Sequence, residues 1–386
     1  MKFSCHTQDF LQGIQIVSRA ISGQQALPIL GNILCKVEAQ TCIVSATDLE
    51  LSIVTSFPAI IESEGSITIP SKAILNFAQY NTDMEIVLET VEGTQLKVTS
   101  KHSKTSLSGE SANDYPSIPA VEKKTTFKLD AASLLDALNM VTFASARTSL
   151  RPVLSGVYLR TEGGKLVLVA TDSYRLSECI IPTNVQEDVN CIIPVKVLDE
   201  LKVMLAAKKP AKRTPTEEHE KQGEREEAIP VTISLSQQQI EIEIGNTRLI
   251  SRLIEGKFPD YRQIIPKEHT TKALINTREL TTAVKRMHYF AKEVNNNLTF
   301  TLKDGDAHIS TPQTQLGKDE TTIPAEVTGG EGKIALSSSY LLDFLGHINA
   351  ETLEVRVTDS MHPAMFYIPT NDTFLHLIMP LRMQES

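Results

Sequence analysis

Ala46-Thr47-Asp48 and Ala170-Thr171-Asp172 are one tripeptide written twice, 124 positions apart, and that spacing decides the fold. Working outward, Pro28 in Pro28-Ile29-Leu30-Gly31-Asn32-Ile33-Leu34 returns as Pro152 in Pro152-Val153-Leu154-Ser155-Gly156-Val157-Tyr158-Leu159. Ile69-Pro70-Ser71-Lys72 returns as Ile193-Pro194-Val195-Lys196. Leu11, Ile14, Val17 and Ala20, spaced for one face of a helix, return as Leu135, Leu138, Val141 and Ala144. Four landmarks in one order at one offset mean an internal duplication. Its period is domain-sized, far beyond the roughly 20–50 residues of solenoid repeats. Copied domains tend to build symmetric assemblies.

Each copy reads helix, strands, helix, strands. In the first, residues 10–22 have helical apolar spacing, 41–55 are β-rich around the tripeptide, and 65–70 alternate like a half-buried strand. Ser71 stands where an N-cap belongs, before a second helix. Three short β segments fill 84–108, with Glu92-Gly93 as a turn, and Asp114-Tyr115-Pro116-Ser117-Ile118-Pro119 closes the unit. The second copy closes on Gly256-Lys257-Phe258-Pro259-Asp260-Tyr261, displaced by 143 positions instead of 124. The surplus is residues 208–227, almost purely charged and polar, which lack the apolar surface to order themselves and read as an exposed insertion or a partner-docking arm. A third copy follows from element order: an amphipathic helix over 279–294 with Leu280, Val284, Met287 and Ala291 on one face, then a helix over 338–346 with Ser338 or Ser339 at its cap and Gly346 at its end.

The chain has 386 residues, a net charge of −9 and five cysteines without a C-x-x-C pair. It has no run long enough for a membrane span and opens without a signal peptide, so the expectation is a cytoplasmic protein whose cysteines pack as small hydrophobes. Its acidity argues against tight nucleic-acid binding over the whole surface while leaving room for a local basic face. No phosphate-cradling glycine loop, nucleophile elbow or zinc-type histidine spacing occurs, so no catalytic residue, metal or cofactor is assigned. Asp48 and Asp172 are the tempting carboxylates for a Mg²⁺-dependent hydrolase or nuclease. Repetition at one place in two copies points instead to side-chain-to-backbone bonds that fix a turn. A duplicated chain without a recognisable active site reads as a binding or scaffolding device.

Val169-Ala170-Thr171-Asp172-Ser173-Tyr174-Arg175-Leu176-Ser177, Leu253-Ile254-Glu255-Gly256-Lys257-Phe258-Pro259-Asp260-Tyr261-Arg262, the ending His376-Leu377-Ile378-Met379-Pro380-Leu381-Arg382-Met383 and Leu27-Pro28-Ile29-Leu30-Gly31-Asn32 together resemble the bacterial sliding clamp, the beta subunit of DNA polymerase III. The likeness spans the whole chain. It implies an α+β fold of three repeated clamp domains, 1–124, 125–270 and 271–386, each with two helices on antiparallel sheets. Two chains would close head to tail into a six-domain ring that encircles double-stranded DNA without reading its sequence. Enclosure in place of affinity would reconcile the acidic charge with DNA. The resemblance implies a homodimer joined near residues 72–82 and 107–110 of the first domain, with Lys72, Lys196, Lys202, Lys285, Arg286 and Lys292 as candidates to face DNA.

The resemblance further implies a groove for short peptide tails of the polymerase III alpha subunit, the clamp loader and other clamp-binding-motif proteins. Its matching positions are Leu154, Thr171, Tyr174, Arg175, Leu176, Pro259, Ile264, Met361, Pro363, Leu377, Ile378, Met379, Pro380 and Leu381. Aliphatic and methionine side chains suit a pocket that adapts to several peptides, and Arg175 is expected to bond a peptide carbonyl or carboxylate. The chain departs from the family pattern at Ser173-Tyr174, where Gly-His is common, at Gln263, where Arg is frequent, and in the extension Gln384-Glu385-Ser386.

Overall fold

A computed structural model describes the chain apart from residues 24–26, 149, 184, 209–228 and 384–386. The charged insertion, from residue 209 on, and the C-terminal extension thus lie outside the described residues. The chain divides into two compact units: Met1–Ala132 with Val203–Leu253, and Ser133–Lys202 with Ile254–Ser386.

Six α-helices occur among the described residues: α1 Thr7–Ser18, α2 Ser71–Tyr80, α3 Ala131–Val141, α4 Val195–Lys208, α5 Thr277–Ala291 and α6 Ser338–Leu345. Between them run short 3-10 turns, loops and strands, and every strand pairing among the described residues is antiparallel. The first unit holds a five-stranded sheet and an eight-stranded sheet, the second a twelve-stranded sheet. Among the described residues no helix is long and apolar enough to cross a membrane, and no group of three or more His, Cys, Asp or Glu is placed to hold a metal ion.

The duplication is visible in the strand pairing. In the first unit the strand after the Ala-Thr-Asp turn, Leu51–Pro58, pairs antiparallel with Thr247–Arg252, Thr55 lying opposite Thr247. In the second unit the equivalent strand, Arg175–Ile181, pairs antiparallel with Asn371–Ile378, Arg175 lying opposite Ile378. Each seam joins segments about two hundred residues apart, and each fuses two smaller sheets into one.

Helix placement follows apolar spacing, with shifts at the ends. α1 begins at Thr7, directly after the strand Lys2–His6, because the Thr7 amide donates to the Met84 carbonyl at 2.9 Å. Its buried face is therefore Phe10, Ile14 and Val17; Leu11 is only half-buried, and Ala20 packs beyond the helix end. Gly13 lets α1 approach the sheet, since a Cβ there would stand 2.8 Å from the Phe57 ring. Ser71 is not a cap: it is the first, buried residue of α2, and Pro70 precedes it without a side-chain cap. The α6 cap is Ser337, whose hydroxyl accepts from the Tyr340 amide, one residue before the two serines expected there. α5 buries Leu280, Val284, Met287 and Ala291 as its spacing predicts. Cys5, Cys35, Cys42 and Cys179 are buried thiols, and burial pushes Cys179 up to about 12.

Candidate functional site

The local frame of the site is the second Ala-Thr-Asp turn. Thr171 Oγ1 donates to the Arg175 carbonyl at 2.6 Å and accepts from the Ser173 amide at 3.1 Å. Asp172 Oδ1 accepts from the Tyr174 and Arg175 amides at 2.9 and 3.0 Å. These bonds hold Ser173 at φ 78°, in the left-handed region that most side chains avoid. Asp172 thus fixes a turn, as its repetition implied.

From this turn the strand Arg175–Ile181 carries Leu176 into an apolar cluster with Leu377, Met365, Phe258 and Tyr261. Gly256 lets the loop before Phe258 close over it: its φ is 130°, and a Cβ would stand 2.7 Å from Val153. Tyr261 is buried, donates to Glu178 and accepts from Arg160 at 2.9 Å; burial first, then Glu178, raises its hydroxyl to about 12. The C-terminal segment is bonded along the same edge. The Met379 amide donates to the Tyr174 carbonyl and the Leu381 amide to the Ala335 carbonyl, both at 2.8 Å.

The residues expected to line a groove fall into three sets by exposure. Leu154, Thr171, Arg175, Leu176, Pro363, Leu377 and Ile378 are buried, while Met379, Pro380 and Leu381 are half-buried. Tyr174, Pro259, Ile264 and Met361 are exposed, at 61% for Tyr174 and 80% for Met361. Isolated large apolar side chains on a surface mean little, but here they lie in the segments that border one buried cluster.

Arg175 is engaged within the chain. Its Nε donates to Asp172 at 3.1 Å and its Nη1 to Asp343 at 2.8 Å. Its guanidinium also lies over the Phe143 and Tyr340 rings, 5.6 and 4.8 Å from their centroids. The group expected to bond a peptide is already held by two carboxylates because α6 presents Asp343 to it. Sequence reasoning missed Tyr340 and Asp343. Their i, i+3 spacing on a helix places them on one face, but nothing marks a partner 168 residues away. Beneath them His376 is wholly buried, stacked on Phe344 at 4.4 Å with its Nδ1 2.8 Å from the Ser177 hydroxyl. Burial, then the Arg175 charge, holds its imidazole well below the usual histidine range. Gln263 donates to Asp260 at 2.7 Å.

The basic candidates also divide. Lys72, Lys196, Lys285 and Lys292 are exposed on or just beyond helices. Lys202 is engaged by Asp199 at 2.8 Å and Thr142 Oγ1 at 2.6 Å, and Arg286 holds Asp319 through two bonds of 3.0 and 3.1 Å.

Three family models match in chain order: the N-terminal domain of the DNA polymerase III beta subunit over residues 1–119, its central domain over 128–213 and its C-terminal domain over 262–382. The chain belongs to the DNA polymerase III beta subunit family. It is 29% identical to the beta sliding clamp of Synechocystis sp., covering 99% of this chain and 100% of the relative, and 27% identical to that of Chlamydia muridarum, covering all of both. Among solved structures it is similar to the DNA polymerase sliding clamp of Bacillus subtilis, with a TM-score of 0.90, 25% identity and full coverage of both chains. The sliding clamp of Bartonella birtlesii bound to griselimycin is similar at a TM-score of 0.90 and 26% identity, covering 99% of this chain and 100% of that one. Family membership accounts for the repeated helix-and-sheet plan and for the two seams.

Proposed function

We propose that this chain is a DNA sliding clamp without a catalytic site of its own. Two copies close head to tail around duplex DNA in the cytoplasm, and the groove beside the second Ala-Thr-Asp turn tethers the polymerase alpha subunit, the clamp loader and other partners. Each chain contributes three domains divided near residues 124 and 270. The observation that carries this reading is full-length membership of the family together with the repeated seam. Two of the three repeats offer their post-turn strand to a strand elsewhere in the chain. By the same rule a third seam joins the sheet edge Lys104–Ser108 of one copy to the segment 320–324 of the other, where the Pro58 position of the first copy recurs as Pro324. Tyr80 and Met84, 73% and 79% exposed, lie within or next to the interface region. Lys72, Lys196, Lys285 and Lys292 face the DNA in this reading, with Lys202 and Arg286 held back by their carboxylates.

The test is retention on circular against linearised DNA after loading with a clamp loader and ATP. Retention on circles that is lost when one cut supplies an end supports enclosure. Equal retention on both overturns it in favour of ordinary affinity. A solution mass near twice the 42.6 kDa chain is expected of the ring.

A further inference from the structure

Arg175 is the one guanidinium among the groove residues, and it is closed. Two carboxylates hold it, Asp172 at 3.1 Å and Asp343 at 2.8 Å, and two rings cover it. With 8% of its surface exposed it offers little of its charge to a ligand. What faces solvent at this corner is of opposite character. The Asp343 side chain is 53% exposed, and only its Oδ2 is bonded by another side chain among the described residues. Beside it Tyr174 stacks on Tyr340, centroids 6.2 Å apart and planes 19° apart, leaving much of the Tyr174 ring in water. Two carboxylates against one guanidinium leave the corner one charge negative.

A carboxylate oxygen with spare capacity next to an exposed aromatic face is the complement of a cation, and of a planar guanidinium in particular, which stacks on the ring while donating to the oxygen. We propose that this corner of the groove receives a cationic side chain, an arginine above all, carried by the partner peptide next to its apolar anchor. The inference rests on the groove reading. It adds a specificity element: apolar residues on the floor supply affinity, and the Tyr174–Asp343 corner discriminates by charge, repelling peptides that carry a carboxylate there.

The experiment measures fluorescence anisotropy of three labelled decapeptides that share a Leu-Phe anchor and differ only in the preceding residue: Arg, Gln or Glu. The intact protein should bind the Arg peptide about fivefold tighter than the Gln peptide and the Glu peptide weakest, with the spread shrinking as salt rises. Asp343→Asn should bring the Arg-to-Gln ratio close to one. Because that change also loosens Arg175, Tyr174→Ala, at an exposed position, is a second variant, and it should lower the same ratio. Equal binding of the three peptides, or tightest binding of the Glu peptide, overturns the charge preference and leaves the groove standing. Absence of binding for all three removes the groove reading and this inference together.

Discussion

The two Ala-Thr-Asp turns are built alike and used differently. In the first unit Thr47 Oγ1 donates to the Leu51 carbonyl at 3.1 Å and accepts from the Leu49 amide at 3.0 Å, while Asp48 Oδ1 accepts from the Glu50 and Leu51 amides at 3.1 and 2.8 Å. Leu49 sits at φ 78°, the same value as Ser173. The copies part at the next position but one. Leu51 is buried among apolar neighbours, whereas Arg175 occupies the same place in the second copy and ties it to α6. The closing loops part as well: the Tyr115 hydroxyl accepts from the Thr47 amide and donates to the Asn32 carbonyl, both at 3.2 Å, where the second copy has Phe258 stacked on Tyr158. The turn is therefore scaffold in both copies, and one residue beside it ties only the second copy to α6.

Exchanging that residue gives the largest expected effect. Leu51→Arg buries a charge with no partner and should destabilise the first unit by about 4 kcal/mol or prevent folding. The reverse change, Arg175→Leu, should cost only ~2 kcal/mol, since it releases a half-exposed Asp343. Urea midpoints of the two variants check this, and equal losses would mean that the position matters and its partners do not. Next in size, Met379→Ala combined with Leu381→Ala should weaken peptide binding at least ~100-fold, the cost of two anchoring contacts at a groove centre, while the dimer mass stays unchanged. Unaltered peptide affinity would sink the groove assignment.

Acid should separate the copies further, because a buried histidine backs only the second turn. His376 stays neutral in the fold, while the unfolded chain takes up a proton near pH 6.5. The unfolded state therefore binds more protons below that pH. Stability is full above about pH 6.5 and falls by up to about 1.4 kcal/mol per unit below it. His376→Phe should flatten that slope between pH 7 and 5, and a melting series across that range reads it. The smallest effect concerns Asp172. Asp172→Ala should cost about 2 kcal/mol, from its turn bonds and from the partner that Arg175 loses. An equal loss when Asp172→Ala is made in the Arg175→Leu background would show that the Asp172–Arg175 pair adds nothing.

Much of this was legible in the sequence. The repeated tripeptide located both turns and hence both seam strands, and the spacing of Leu280, Val284 and Met287 located α5. Helix ends were less legible, because they depend on tertiary bonds such as that from the Thr7 amide to Met84. That Leu176 and Leu377 belong together was legible through family likeness, since both fall in motifs, and they share one buried cluster; the groove itself is a proposal. Its acidic corner was not legible, because Asp343 reaches Arg175 only once the strand Asn371–Ile378 has paired beside it and α6 has packed. A contact between residues so distant in sequence leaves no local pattern to read.

That last strand has a consequence for how the protein is made. Asn371–Ile378 lies inside the twelve-stranded sheet, between Arg175–Ile181 and Ala364–Ile368. His376 on it is made 199 residues after its bonding partner Ser177. The strand Arg175–Ile181 therefore leaves the ribosome long before its partner and waits with an unpaired edge, a template for pairing with a neighbouring chain that rapid synthesis or a chaperone must keep covered.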